Sequence, residues 1–330
     1  MWRWAGNEAL AHPPLRVPPA YDKVNAMIDL CLLGTGALMP LPERRLAALL
    51  VRVQGRLLLI DCGEGTQVAI RESGFSLARI DAICITHFHA DHISGLPGLL
   101  LTMGTSGRTK PVRIIGPEHT RKVVRCLCVI AQTLPFELQF EEIGGDGYLG
   151  DFQGARLQAF ALEHTIPCFG FRLTLDRPGK FDPARARAAG IPTDFWGQLQ
   201  RGETAQDEAG QTIYTPEMVL GPARPGLSIA YCTDTRPTES IRDAIRFADL
   251  LICEGTYGDP AKAEMARQYG HQTFEEAARL ATPAEVKRLL LTHFSPSMPD
   301  PEPFVPLARQ IFPNTSAGHD IEHISLRFAP

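Results

Sequence analysis

Short apolar runs separated by turn residues and by amphipathic stretches dominate the chain from residue 27 onwards. MIDLCLLG, AALLVRV and RLLLIDCG predict three β-strands, and Gln54-Gly55 between the last two predicts a tight hairpin turn. Later apolar runs predict further strands, among them IDAICIT, PVRIIGP, RLQAFALEH, LSIAYCTD, LLICEG and VKRLLLTH. Amphipathic stretches such as TQVAIRES, EHTRKVVRCLCVIAQT and TFEEAARLA alternate with these runs and predict helices. The pattern predicts an α/β fold that opens with an antiparallel sheet.

Two segments depart from this alternation. Residues 1–27 are rich in Pro and Trp without a clean period, which predicts an irregular N-terminal extension. Residues 176–226 are polar and interrupt the fold, and Asp182-Pro183 begins a short helix there that Gly190 ends. We therefore expect one domain over residues 28–330 with an insertion at about 176–226.

Composition limits the classes of function. With 330 residues and 44% hydrophobic content the chain can bury a large core, and a net charge of −4 gives no overall positive field that would attract nucleic acid. A site for a polyanion must be local: residues 172–201 contain six basic and three acidic side chains. No apolar run approaches the ~18 residues that span a bilayer, so a cytoplasmic location is the default expectation. The eight cysteines lie mostly in apolar runs, where we expect reduced, buried thiols.

The densest chemical signal is His87-Phe-His89-Ala-Asp91-His92, directly after a predicted strand. Several imidazoles and a carboxylate in one loop require a shared electrostatic partner, which a divalent cation supplies. Alternate spacing in an extended segment points His87 and His89 the same way, towards one ion, and leaves Asp91 and His92 for a second.

Two ions need further ligands, and other predicted strand ends offer His164, Asp234 and His293. Taken alone, each of these three is explained as well by an ordinary buried polar residue. Their recurrence at strand ends favours ligation, and the two oxygens of Asp234 suit a bridge between the ions. Two adjacent divalent ions activate water and stabilise in-line displacement at phosphorus, which predicts a phosphodiester hydrolase.

Eight stretches extend this signal into a family resemblance: LLGTGALMP (33–40), IDCGEGTQ (60–67), THFHADHISGLPGLL (86–100), LEHTIPCFGFRL (162–173), YCTDTRPT (231–238), GHQT (270–273), LTHFSP (291–296) and IFPNT (311–315). The chain resembles the tRNase Z family of the metallo-β-lactamase superfamily over most of residues 28–330. The resemblance implies a four-layer αββα sandwich with a protruding arm inserted at about 176–226. It also implies two Zn²⁺ per subunit, with Mn²⁺ as the alternative. One ion would bind His87, His89, His164 and Asp234, and the other Asp91, His92, His293 and Asp234.

The same resemblance suggests roles for individual residues. Asp91 would take a proton from the attacking water, His271 would protonate the leaving ribose oxygen, and Glu254 would orient His271. Asp61 would hydrogen-bond to the ligand histidines and support them without binding metal, and a turn or cap carboxylate is the alternative interpretation of its position. Precursor tRNA would be the substrate and a homodimer the assembly. The candidate substrate contacts are Arg79 in Leu77-Ala78-Arg79-Ile80 and, in the inserted arm, Lys180, Arg185 and Arg187.

Three departures from the family pattern keep alternatives open. Cys253 stands where the family usually has a histidine before the glutamate, and Ser297-Met298 replaces an arginine-tyrosine pair, removing an anion contact. Leu77 replaces the proline of the family's Pro-x-Lys-Ile loop. The leading hypothesis is a zinc endoribonuclease that removes 3′ trailers from precursor tRNA. The alternatives are a hydrolase of a small phosphodiester or sulfate ester and a non-catalytic RNA-binding relative.

Overall fold

The computed structural model describes residues 27–131, 133–207 and 210–329. The predicted irregular extension at 1–27 lies outside the described residues except for Met27, where the first strand begins. Sixteen strands are present in the described part of the chain. They are β1 (Met27–Gly34), β2 (Ala48–Val53), β3 (Arg56–Ile60), β4 (Ile80–Cys84), β5 (Val112–Pro117), β6 (Leu138–Ile143), β7 (Gly147–Phe152), β8 (Ala155–Leu162), β9 (Cys168–Arg177), β10 (Ala205–Gln206), β11 (Thr212–Tyr214), β12 (Arg224–Cys232), β13 (Leu250–Glu254), β14 (Leu289–Thr292), β15 (Thr315–Ala317) and β16 (Glu322–Arg327).

These strands form two large sheets and one small one among the described residues. The first large sheet has the order β16-β1-β2-β3-β4-β5-β6, and the second has the order β15-β14-β13-β12-β9-β8-β7. In the first, β1 to β3 pair antiparallel and β3 to β6 pair parallel. Gln54 and Gly55 join β2 to β3 with φ of 47° and 77°, as an Asn-Gly-like hairpin turn requires, so the predicted turn is confirmed.

Helices cover the outer face of both sheets. The α-helices are α1 (Thr66–Glu72), α2 (Ala90–Ile93), α3 (Leu96–Thr105), α4 (Thr120–Leu127), α5 (Pro183–Ala188), α6 (Trp196–Gln200), α7 (Glu239–Ala244), α8 (Ala263–Tyr269), α9 (Phe274–Ala281) and α10 (Val305–Arg309). One-turn 3₁₀ helices include Leu77–Arg79, Cys128–Ala131 and Pro260–Lys262. None of the helices in the described ranges is long and apolar enough to cross a membrane.

Three apolar layers hold the molecule together. The central one joins the two sheets and includes Leu30, Val51, Phe171 and Ile252. The second lies between the first sheet and α1, α3 and α4, and the third between the second sheet and α7, α9 and α10. Because both sheets are covered on both faces, the architecture is helix, sheet, sheet, helix, and the predicted α/β four-layer fold is confirmed. The cysteines are free, and only Cys126 is exposed.

The segment between β9 and β12 has a small core of its own. Ala186, Ile191, Leu199 and Val219 are buried there, and Phe181 and Trp196 pack against them. Asp182 caps α5 by accepting the amides of Ala184 and Arg185, as its position before a proline predicts. This segment, which we call the arm, leaves and re-enters the second sheet at adjacent points, since Arg177 pairs with Arg224.

Candidate metal centre

The predicted ligands gather at one rim, where strands from both sheets end. His87 and His89 follow β4 of the first sheet in extended backbone, and Asp91 and His92 lie on the single turn of α2. The second sheet supplies the others after its strand ends: His164 after β8, Asp234 after β12 and His293 after β14. The structure thus brings all seven residues together from four strand ends, although as many as 206 positions separate them along the chain, from His87 to His293.

Two groups of donor atoms at this rim contain the predicted ligands, and a third group, of Asp234, His271 and His293, overlaps them. The ligand atoms of His87, His89, His164 and Asp234 all lie within 4.8 Å of one another, and so do those of Asp91, His92 and His293. The oxygens of Asp234 are divided between the groups. Its Oδ1 is 3.4 Å from His92 Nε2 and 3.1 Å from His293 Nε2, whereas its Oδ2 faces His87 and His164 at 3.6 and 3.7 Å. This is the geometry that a bridging carboxylate requires.

Hydrogen bonds behind the histidines fix which ring nitrogen faces the centre. The Thr86 hydroxyl lies 2.9–3.0 Å from both oxygens of Asp61, which as a carboxylate only accepts, so the hydroxyl donates to it and accepts from His87 Nδ1. In the same way Thr256 donates to Glu254 at 2.6 Å and accepts from His293 Nδ1. In each case the lone pair of Nε2 is left to point into the centre.

Two further histidines are set in the same tautomer. His92 Nδ1 donates to Asp61 at 2.8 Å, and His164 Nδ1 donates to the Gly270 carbonyl at 3.0 Å. Ring nitrogens that carry lone pairs therefore lie next to one another. His92 Nε2 is 3.2 Å from His293 Nε2, and His89 Nδ1 is 3.0 and 3.2 Å from Nε2 of His87 and His164. Such pairs repel unless a proton or a cation lies between them. Imidazole nitrogens and carboxylate oxygens in this arrangement fit a divalent metal ion.

The electrostatics of the rim favour the same occupant. Burial lowers the pKa of His87 well below its usual range, and the nearby His92 lowers it further. Burial opposes charge on Asp234, but His293, His92 and His87 hold the pKa of this carboxyl well below its ordinary value. For His92 the balance is reversed: burial lowers its pKa, yet Asp234 and Asp61 raise it well above normal. Without a cation, a proton takes its place at His92.

Asp91 and His271 stand at the open side of the centre. Asp91 Oδ2 accepts the Leu38 amide at 2.7 Å, and although burial opposes its ionisation, the neighbouring His293 and His92 lower the pKa of Asp91. His271 Nδ1 donates to Glu254 at 3.1 Å. Burial lowers the pKa of His271, but the charge and hydrogen bond of Glu254, followed by Asp234 and Asp91, raise it to about 9. These shifts favour an ionised Asp91 and a protonated His271 near neutral pH.

Glu254 is fully buried and saturated with donors. Its oxygens accept the amides of Thr235, Thr256 and Gln272 as well as the Thr256 hydroxyl. The neighbouring Cys253 is also buried, and Gln272 Nε2 donates to its sulfur at 3.0 Å. The departure at position 253 therefore leaves the glutamate and its histidine partner in place.

The predicted substrate residues lie away from the metal centre. Arg79 is exposed and precedes β4, whereas His87 follows it, so about 25 Å of extended chain separates the two. The structure does not bring Arg79 to the site; its guanidinium contacts the Gly55 carbonyl at the far end of the sheet. Lys180, Arg185 and Arg187 are exposed on the arm, where Arg185 donates to the Leu220 and Glu217 carbonyls.

Sequence reasoning missed three parts of the site. The hydroxyls of Thr86 and Thr256 complete the hydrogen bonds to His87 and His293, and the only sequence signal for Thr86 is that it precedes His87 directly. The Arg236 guanidinium donates to the His271 carbonyl and forms an ion pair with Glu276. Glu276 and Thr273 in turn form the capping box at the N-terminus of α9.

The backbone at Asp61 and His293 is left-handed, with φ of 61° and 60°. Such strain is typical of functional sites.

Comparisons with known proteins agree with this geometry. Residues 28–133 match a family described as the anti-Pycsar protein Apyc1, and residues 200–294 match a β-lactamase superfamily domain. A protein named ribonuclease Z from Lachnospira eligens is 47% identical over 302 residues, which are 92% of this chain and 99% of that protein. A second protein named ribonuclease Z, from Agathobacter rectalis, is 48% identical over 302 residues, again 92% of this chain and 99% of that protein.

Solved structures give the same relationship at lower identity. The short form of human tRNase Z is 27% identical and matches with a TM-score of 0.65 over 90% of this chain and 98% of that chain. A diphosphatase of the PhnP family is 18% identical, with a TM-score of 0.61 over 92% of this chain and 99% of the other, and shares the fold alone.

Proposed function

The chain belongs to the ribonuclease Z family, and on that premise we propose that it is a two-zinc endoribonuclease that removes 3′ trailers from precursor tRNA. The observation that carries the proposal is the convergence of ring nitrogens and carboxylate oxygens. Four Nε2 atoms, whose histidines donate their Nδ1 protons to groups behind them, lie with His89 Nδ1 around the carboxylate of Asp234. We infer two ions per subunit because this carboxylate separates the donors into two groups. Mn²⁺ is the alternative metal.

In the proposed mechanism, His87, His89 and His164 would hold one cation, Asp91, His92 and His293 would hold the other, and Asp234 would contribute to both groups. When bound, such a pair lowers the pKa of a water molecule and stabilises negative charge at phosphorus. Asp91, kept ionised, accepts the proton of the attacking water. His271, kept protonated by Glu254, gives its proton to the leaving ribose oxygen. Asp61 and Thr86 keep His92 and His87 in the tautomers that binding needs.

The arm is the proposed grip on the body of the tRNA. Lys180, Arg185 and Arg187 are exposed there, and no carboxylate among the described residues lies within 4.0 Å of Lys180 Nζ. Phosphate oxygens of a folded RNA are the partners that such cations favour.

A homodimer is part of the proposal. Three exposed apolar side chains, Val68, Leu101 and Ile130, lie on α1, α3 and the 3₁₀ turn after α4, which contact one another, and we propose that they meet a second copy. We also propose a cytoplasmic location, which the free cysteines favour.

The test is cleavage of a 3′-extended precursor tRNA by the zinc- or manganese-loaded protein, with product ends mapped and Asp91→Ala as control. A single cut beside the discriminator base or after CCA, reduced by a factor of about 100 or more in the variant, supports the proposal. A metal-loaded protein that leaves the RNA intact but hydrolyses bis(p-nitrophenyl) phosphate would instead be the small-ester hydrolase. Turnover of either substrate excludes a non-catalytic RNA-binding role.

A further inference from the structure

A cavity of about 290 Å³ opens beside the metal centre, between the turn Tyr257–Lys262 and the segment from Ser297 to Phe304. It adjoins the side of the centre that carries His271. The Tyr257 ring meets the His271 ring edge to face, with centroids 6.4 Å apart. On the other side, the cavity is lined by the segment that follows His293. Its volume is near the lower end of the ~300–1,000 Å³ that small-molecule sites occupy.

The floor of the cavity is apolar. Tyr257 and Met298 are almost fully buried, and the Phe304 ring completes the surface. Gly258 permits this close packing, because a Cβ at that position would lie 2.5 Å from the Phe304 ring and 2.7 Å from the Met298 sulfur. A flat, unsaturated ligand gains contact on an aromatic and thioether surface of this kind.

The rim carries hydrogen-bond donors and acceptors. Lys262 Nζ donates to the Ser297 hydroxyl at 2.9 Å and lies 5.8 Å from the centroid of the Tyr257 ring. No carboxylate in the described ranges lies within 4.0 Å of this ammonium group, so it retains protons to donate. The replacement of the family's arginine-tyrosine pair by Ser297-Met298 predicted the loss of a cation at this position. Lys262 supplies a cation beside Ser297 instead.

Two carboxylates supply the acceptors. One oxygen of Asp259 accepts the Ala261 amide and one oxygen of Asp300 accepts the Glu302 amide, which leaves the second oxygen of each able to accept from a ligand. Arg44 donates to the carbonyls of Met298 and Pro299, so the two negative charges are balanced by two positive ones and no excess positive charge favours a phosphate here. A base edge, which presents both donors and acceptors, matches the mixed rim.

We propose that this cavity binds one unpaired nucleobase of the RNA, from a nucleotide next to the scissile phosphodiester. The base lies on Tyr257, Met298 and Phe304, and its polar edge bonds to Lys262 and to Asp259 or Asp300. Single-stranded RNA is recognised through such combinations of stacking and edge contacts. The inference rests on the proposed function, because it assumes an RNA strand at the metal centre, and it adds a contact that fixes the strand's position.

The experiment uses RNA hairpins with a single-stranded 3′ extension, in which each nucleotide flanking the scissile bond is replaced in turn by an abasic residue. Affinity is measured by fluorescence anisotropy with the metal-loaded protein and an uncleavable phosphonate at the scissile position, and kcat/KM is measured with the natural linkage. The proteins compared are the wild type, Lys262→Met, Met298→Trp and, as matched control, Lys122→Met on the distant helix α4.

We expect one abasic position to weaken binding to the wild type and to Lys122→Met by about tenfold, the usual scale for a stacked base. For Lys262→Met and for Met298→Trp, the abasic RNA should bind no more weakly than the intact RNA. In the further variant Lys262→Arg, part of the difference in affinity between the abasic and the intact RNA should return. An equal abasic penalty in all proteins, or none in the wild type, would overturn the inference. Because binding is measured without cleavage, a protein that binds in this pattern but cuts no RNA would refute the proposed activity and leave the base site standing.

Discussion

At the scale of single residues, the metal centre depends on groups that bind no metal. Asp61 accepts from His92 Nδ1, from the Thr86 amide and from the Thr86 hydroxyl, and the hydroxyl in turn accepts from His87. One buried carboxylate thus fixes the tautomer of a ligand in each donor group. The left-handed backbone of Asp61 is compatible with this role, because the surrounding bonds compensate strain of about 1–3 kcal/mol.

Replacing this carboxylate tests that role. Asp61→Asn places an amide beside His92, and its NH₂ group cannot accept the Nδ1 proton while its oxygen bonds Thr86. The ring then shifts its proton to Nε2 and loses its ligand lone pair, so zinc affinity should fall by about 10–100-fold. Chelator competition measures this, with circular dichroism to show that the variant is folded. Asp243→Asn, at an exposed position, is the control, and an unchanged affinity in Asp61→Asn would remove Asp61 from the site.

His271 is a second residue whose role depends on substrate chemistry. A ribose alkoxide is a poor leaving group that needs a proton, whereas a nitrophenolate does not. His271→Ala should therefore lower kcat on RNA by about 100-fold and change the release of p-nitrophenol from bis(p-nitrophenyl) phosphate far less. His323→Ala on β16 serves as control. Equal losses on both substrates would contradict the acid role and indicate a structural one.

At the scale of elements, strand ends position the residues of the site, and a helix cap stabilises their arrangement. Thr273 and Glu276 cap α9, and Glu276 also pairs with Arg236, whose guanidinium bonds the His271 carbonyl. The N-terminus of α9 and the position of His271 are therefore fixed by one network. The arm is a different kind of element, because its own small core makes it independent of this rim.

The arm can be removed cleanly, which allows its role to be tested. Arg177 pairs with Arg224, and Arg224 Nε donates to the Pro178 carbonyl at 2.9 Å, so an Asn-Gly turn can replace residues 178–223 and join β9 to β12. We expect this deletion to weaken precursor tRNA binding by about 100-fold at low salt and to flatten its salt dependence, because phosphate contacts are lost. Turnover of bis(p-nitrophenyl) phosphate should persist. Unchanged RNA affinity would show that the arm does not contact the substrate.

At the scale of the whole molecule, the metal centre joins the two sheets. The first sheet supplies His87, His89, Asp91 and His92, and the second supplies Asp234 and His293 among others. Bound cations therefore stabilise the packing of one sheet against the other as well as supplying chemistry.

Metal removal should then lower thermal stability. At a free zinc concentration 100 times the dissociation constant, the binding of one ion adds about 2.7 kcal/mol to the free energy of unfolding, which corresponds to a Tm higher by roughly 4 °C for a domain of this size. Calorimetry with and without a chelator measures the difference. The variant Asp61→Asn should show a smaller metal-dependent shift, whereas Asp243→Asn should match the wild type. An identical Tm with and without metal would contradict cross-sheet ligation.

The proposed dimer belongs to the same scale. If the surface with Val68, Leu101 and Ile130 meets a second copy, analytical ultracentrifugation should give about twice the chain mass of 36.2 kDa. Ile130→Glu should convert this species to monomer, because a charge in an apolar interface is not solvated. Phe247→Glu, at another exposed apolar position, should leave it intact. A monomeric wild type would refute the dimer.

Much of the fold was predictable because each buried strand is a continuous apolar run bounded by turn residues, as in RLLLIDCG and LLICEG. The exceptions in the described part of the chain were the short strands β10, β11 and β15, and two longer strands at sheet edges, β7 and β16. In β16 only Ile324 is buried, and in β7 only Phe152, so neither has the apolar periodicity by which a strand is predicted. Pairing with β1 and β8, rather than local propensity, makes these segments strands.

The sequence by itself determined the donor set, because the density of His and Asp after one strand, repeated at later strand ends, has few purposes other than metal binding. It also determined the fold class through the alternation of apolar strands and amphipathic helices. Only the tertiary structure decided which nitrogen of each histidine faces inward, how Asp234 divides its oxygens, that Arg79 lies far from the centre, and that Lys262 stands beside Ser297. The division of Asp234 and the positions of the ring nitrogens depend on contacts between residues remote in sequence, many of which exist only once the two sheets are packed together, whereas the position of Arg79 follows from the direction of β4.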